Sequence, residues 1–290
     1  MNLFKDARDY QIVCLCLFLS VGIFYRDWTL QIQGIFLTIT ICLVTQILLS
    51  SWVKLTTLEP NFITINPSKN QGFFTVNWLD LSGVKSALIS GLGLSLLLRA
   101  NHPNILMLAG VLAIGSKFIF RYHQKHFFNP ANFGIIVTVF LTKSAWVSPG
   151  QWGSDWWYLL LFICTGAMVL NKVGRWETSA VFLGVYGGLE AVYNYYLGWN
   201  FDVLTHQLMS GSLLVFAFFM LTDPRSIPNA KNSRIIWSIV IAISSFIIKE
   251  FFYINSAFFL ALFIISPLTI LFDLIWKENR FRWQKLTSIS

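Results

Sequence analysis

Apolar runs long enough to cross a bilayer, separated by turns too short to fold alone, occupy most of this chain and decide its fold class. A helix needs ~20 mainly apolar residues to span the hydrocarbon core. Read on that scale, the sequence holds ten candidate spans, centred on 10–25, 30–50, 85–98, 105–120, 131–142, 156–170, 179–197, 207–221, 235–252 and 255–273. Several are short. Of the 290 residues 56% are hydrophobic and 12% charged, with a mean hydropathy of +0.63; a soluble domain is about 25% charged because its surface meets water. The expected fold is an all-α polytopic membrane protein. The run from Ile12 to Phe24 follows Asp6 and Asp9 and precedes no small-residue cleavage site, so it reads as a span and not a signal peptide.

Charge gives an orientation. With both termini cytoplasmic, the inner segments carry seventeen Lys and Arg, against Arg26, Arg99, Lys143 and Lys249 outside, which accounts for all 21. That is the asymmetry expected of a bacterial inner-membrane protein. The net charge of +8 is therefore a consequence of topology and of anionic lipid headgroups, with no nucleic-acid partner needed. Cys14, Cys16, Cys42 and Cys164 all sit in apolar runs without metal-ligand or haem spacing and read as packing residues.

Two internal echoes organise the chain. "LISGLGLSLLLRANHP" resembles "LMSGSLLVFAFFMLTDP", matching Ser90-Gly91 to Ser210-Gly211, and "FNPANF" resembles "INSAFF", matching Asn129 to Asn255. If each copy holds five spans, the odd number inverts the second, giving an inverted repeat with copy one at about 10–142 and copy two at about 156–273. The chain is then a single membrane domain over 1–290, with 274–290 a basic cytoplasmic tail. Short spans broken by Gly or Pro at matching positions point to a central site in such folds, here spans three, five, eight and ten.

Span five opens on Asn129-Pro130-Ala131. Asn accepts a backbone N–H as a helix cap, and Pro at the first helical position forfeits no bond. An abrupt start at membrane depth must face protein, a cavity or a ligand, because no water satisfies its free amides. Span eight ends in "LTDPRSIP", where Thr222 or Asp223 is placed to cap or bind an amide. Pro224 stops the helix, and Asp223 reads either as an ion or proton site or as a local partner of Arg225. Lys117, Arg121 and Lys125 recur every four residues and share a face if span four continues. They lie beside His123 and His126, and the bland reading is snorkelling toward lipid phosphates. Glu190, an acid within span seven, must face the bundle, be protonated or bond Asn194, and is a candidate for an ion or proton path. The histidines lack the companions of a metal site.

"DLSGVKSALISGLGLSLLL", "GSKFIFRYHQKHFFNPANFGIIV" and "FFMLTDPRSIP", over about 80 to 230, resemble the NqrB/RnfD family, membrane subunits of the Nqr and Rnf electron-transport complexes. "HFFNPANFG", "AWVSPGQWGSDWW" and "TDPRSIP" are similar to a standalone branch that includes the UnbU-like enediyne-cluster membrane proteins. The resemblance implies ten helices and flavin chemistry. Family members attach FMN to a threonine in a Ser-Gly-Ala-Thr motif in the loop between spans five and six. Here that loop, "TKSAWVSPGQWGSDWW", offers Ser144, Ser148 and Ser154 in no such context, so covalent FMN is not expected. What the resemblance leaves is noncovalent riboflavin or FMN between the repeats. Ser90, Gly91, Ser210, Gly211, Asn129, Pro130, Ala131, Thr222, Asp223 and Arg225 would surround it, with Lys117, Arg121 and His126 on a flavin phosphate.

Without a GxGxxG unit, a Walker loop or a nucleophile elbow, the chain neither oxidises NADH nor runs on ATP by itself. The leading expectation is transmembrane electron transfer with a redox partner protein, as a subunit or homo-oligomer in lipid. The rivals are a transporter or channel for a small solute, flavin or cation, and a membrane scaffold for an accessory enzyme.

Overall fold

The computed structural model describes residues 6–25, 30–57, 81–122, 125–151 and 155–281. His123 and Ser154 lie outside the described residues, as do Lys5, Arg26, Lys69, Arg282 and Lys285 of the charge count. All ten apolar runs are helical. In the first half these are α1 (Ala7–Phe24), α2 (Ile32–Thr57), α3 (Leu81–Leu97), α4 (Pro103–Ile119) and α5 (Pro130–Thr142). In the second half they are α6 (Trp156–Val173), α7 (Trp176–Tyr196), the short α8 (Phe201–Leu208), α9 (Gly211–Val215), α10 (Lys231–Glu250), α11 (Ala257–Ile265) and α12 (Leu268–Ile275). A π-helical turn, Phe216–Met220, continues α9.

Length and composition separate these helices. Four are long and apolar enough to cross a membrane alone: α1, Ile32–Val53 of α2, α6 and α10; α11 with α12, bent by 50° at Ser266-Pro267, makes a fifth. The helices α3, α4, α5 and α9 with its π turn are apolar but shorter, so ten full-length spans are not what the described residues display.

Packing follows a regular scheme. In the first half α3 packs on α1 and α2, and α4 on α2 and α5; in the second, the π turn packs on α6 and α7, and α10 on α7 and α11. The halves meet where α1 touches α6 and α5 touches α11. Phe18 of α1 stacks on Phe162 of α6 with ring centroids 4.3 Å apart, and meets Phe219 of the π turn edge-on at 5.6 Å. An ion pair from Lys85 to Asp9 (2.5 Å) fastens α3 to α1. Where α4 and α5 cross, Gly134 is required: a Cβ there would lie 2.7 Å from the Ala109 carbonyl oxygen. Two small antiparallel ladders pin the connections, β1 (Leu98–Ala100) to β4 (Ala145–Val147), and β2 (Arg121–Tyr122) to β3 (Lys125–His126).

Three expectations about breaks need correction. Ser90-Gly91 lies within an unbroken α3, whereas Ser210 is the N-cap position of α9, so the matched pairs occupy different settings. A serine that bonds back to the carbonyl four residues earlier, as Ser90 does to Ser86 (3.0 Å), need not interrupt a helix. Asn255 is exposed in the turn before α11, where Ser256 occupies the cap position without a side-chain bond, so it does not repeat the role of Asn129. Helix α4 stops at Ile119, which sends Arg121 and Lys125 onto β2 and β3 and off the helical face of Lys117.

Candidate functional site

The start of α5 is built as the sequence predicts. Asn129 has extended backbone and accepts the Asn132 N–H through Oδ1 (3.1 Å), with Pro130 opening the helix. Phe128 holds this start against the second half, its ring stacked on Phe263 of α11 at 5.1 Å and 25°. The other end of the Asn129 amide reaches across the bundle: Nδ2 donates to the Met220 carbonyl at 3.3 Å.

Met220 closes the π turn, whose carbonyls are taken by side chains in succession. Ser179 of α7 donates to Ala217 (2.6 Å), Thr222 to Phe218 (2.6 Å), Gln11 of α1 to Phe219 (3.4 Å) and Asn129 to Met220. A π turn displaces carbonyls from the α-helical register, and without water each needs another donor. Here three of the four come from different helices. Phe218 turns against α6, where Gly166 has no side chain; a Cβ would meet the ring at 2.7 Å.

Between α1, α3 and α5 on one side and α6 and the π turn on the other lies a recess of about 830 Å³, its open mouth included. Its lining mixes apolar side chains such as Leu15, Ile89, Val169 and Phe219 with polar and charged ones. The structure brings Ser90, His126, Asn129, Pro130, Ala131, Thr222, Asp223 and Arg225 to this wall. Asp223 forms a turn and no ion pair with Arg225 among the described residues: Oδ1 accepts the Arg225 backbone N–H (3.2 Å) and Oδ2 the Ser226 hydroxyl (3.1 Å). Lys117 stands one shell back, buried, donating to Ser86 Oγ at 3.0 Å. Arg121 Nε donates to the Lys117 carbonyl, and its guanidinium lies over Phe118. Lys125 turns away to Asp273 (2.5 Å) and the Ile227 carbonyl (2.7 Å), clamping the loop after Pro224.

His126 lies outside the helices. It is 7% exposed, and Nδ1 contacts the Phe128 carbonyl at 3.0 Å; a carbonyl only accepts, so Nδ1 carries the hydrogen. Burial holds its pKa down to about 4, with Arg225 and Lys117 adding to the effect and Asp223 opposing it, so the ring is neutral at physiological pH.

The remaining expected residues are elsewhere. Gly91 faces α2, where an added Cβ would lie 3.1 Å from the Ile39 Cα. Ser210 donates to the Pro149 carbonyl (2.8 Å) and the Gly211 N–H to that of Gly150 (3.1 Å), so the 143–151 loop docks on the start of α9. Glu190 is fully buried but paired: Oε1 accepts from Lys249 (2.7 Å) and from the Tyr186 hydroxyl. It does not bond Asn194, whose amide is oriented best toward Trp199 and Leu204. Conversely, Arg8, Gln11 and Ser86 line the recess without having been singled out. Their only signal was position, polar residues at the start of apolar runs.

Residues 143–282 match the NQR2, RnfD, RnfE family. The chain resembles that family. The matched segment includes Thr222-Asp223-Pro224 and begins after Asn129-Pro130-Ala131, so it lies further toward the C-terminus than the sequence resemblance over 80 to 230. Several relatives carry the name of the RnfD-type component of an ion-translocating oxidoreductase complex. That of Actinobacillus pleuropneumoniae serotype 5b is 24% identical over 104 residues, 35% of this chain and 30% of the relative. That of Tolumonas auensis is 26% identical over 96 residues, 33% and 28% of the two chains. That of Shewanella amazonensis is 29% identical over 116 residues, 38% and 32%. The matches thus span about a third of these NqrB/RnfD-type relatives.

Proposed function

We propose that this NqrB/RnfD-like protein is a membrane subunit of a redox complex that holds a flavin noncovalently in the recess and passes electrons with a partner protein. The supporting observation is the recess itself: eight residues expected from sequence line it, drawn from both sides of the junction between the two halves. The fit is chemical. A lining that mixes apolar side chains with polar and charged ones suits a planar ring carrying a polar chain. When bound, flavin supplies one- and two-electron chemistry; the chain orients it and excludes water from its ring. The names of the relatives support membership of an ion-translocating oxidoreductase complex. The packing scheme supports an inverted repeat of five helices, because exchanging α1 with α6, α2 with α7, α3 with the α9–π unit, α4 with α10 and α5 with α11 preserves the principal neighbours.

A second reading, transport of a small solute or cation without redox chemistry, draws on the interrupted helices, above all the bend between α11 and α12. Purification followed by visible spectroscopy and mass spectrometry separates the two. A flavin spectrum retained or restored by added riboflavin or FMN supports the first. Its absence after reconstitution, with solute uptake into liposomes, supports the second.

A further inference from the structure

The wall of the recess includes an imidazole acceptor that no protein donor reaches among the described residues. The Asn129 amide is engaged at both ends, Ser90 donates to Ser86, Thr222 donates to Phe218, and both Asp223 carboxylate oxygens accept within their own turn. His126 differs. With Nδ1–H committed to the Phe128 carbonyl, Nε2 is left with a lone pair, and among the described residues it meets no donor. A nearly buried histidine that borders the recess and keeps one ring nitrogen free of protein partners can take a donor supplied from outside.

We infer that His126 is a recognition residue whose Nε2 accepts an N–H from the ligand, and that in the recess this is the imide N–H of the flavin ring. The assignment rests on the flavin reading above and changes the role expected for this histidine. A neutral imidazole presenting a lone pair repels a phosphate oxygen, which is also an acceptor, so the phosphate expected beside His126 belongs elsewhere. The ring imide places one N–H between two carbonyls and is complementary to an acceptor beside donors. Arg225, which borders the same recess, provides N–H groups of the type those carbonyls need.

The test compares riboflavin with 3-methylriboflavin, in which the imide hydrogen is replaced by methyl, by quenching of flavin fluorescence on titration with the purified full chain. The wild-type protein is expected to hold riboflavin about tenfold more tightly than the methylated analogue. His126→Ala should abolish that preference while still binding flavin. His126→Gln, which restores an acceptor on a smaller side chain, should recover part of it; no recovery would mean that the methyl group merely clashes with the imidazole and would overturn the assignment. Riboflavin binding without preference in the wild type, or an undiminished preference in His126→Ala, overturns it too. If the wild-type chain binds neither flavin, the flavin reading itself fails and this assignment falls with it.

Discussion

At the scale of single residues, His126 and Asn129 show how the same lead-in to α5 serves two purposes. The His126 pKa lies below its ordinary value of 6.5, at about 4, so the unfolded chain binds more protons than the folded one between those limits. Stability therefore rises with pH across that window and is lost progressively as pH falls through it. Thermal unfolding in detergent between pH 4 and 7 should show this slope, and His126→Gln should flatten it. Asn129→Leu removes both a cap and the donor to Met220. A loss of roughly 1–3 kcal/mol of stability is expected. Asn129→Asp, which keeps the cap but not the donor, should fall between the two; a melting temperature equal to that of wild type in Asn129→Leu would remove the junction from the account.

At the scale of elements, the contacts that fix helix ends matter more than helix length. Gly134→Leu would drive a side chain into the backbone of α4 and should cost about 1–3 kcal/mol, seen as faster proteolysis between α4 and α5. The helices themselves were legible in sequence because apolar runs and bilayer thickness leave little freedom, and so was the Asn-Pro start of α5, whose cap is local chemistry. The π turn was not. No residue in Phe216–Met220 announces it; it depends on donors from Gln11, Asn129 and Ser179, scattered along the chain. The stop of α4 at Ile119 was equally hidden, since the spacing of Lys117, Arg121 and Lys125 permits a longer helix and only the pairing of β2 with β3 ends it. Of the residues around the recess, those singled out in sequence lie mostly next to breaks, with Ser90 on α3 the exception, while Arg8 and Gln11 of α1 and Ser86 of α3 carried no such mark.

At the scale of the whole molecule, α7 and α10 are tied near both ends by ion pairs, Glu177 with Arg234 and Glu190 with Lys249. Such pairs in an apolar bundle are costly to break from one side only. Lys249→Met should destabilise by about 3–5 kcal/mol by leaving the buried Glu190 carboxylate without its cation, while the double change with Glu190→Leu should restore much of the loss. Equal melting temperatures for the single and double variants would refute that coupling. The positive-inside orientation predicts that reporters fused at residue 200 and at residue 225 face opposite sides of the membrane. Both on the same side would discard the assigned topology.

The clamp from Lys125 to Asp273 joins residues 148 positions apart. A ribosome must therefore release nearly the entire polypeptide before the lead-in to α5 gains its final anchor, so chains that stall before α12 should reach the membrane with the earlier helices inserted but the hollow between the halves still ajar.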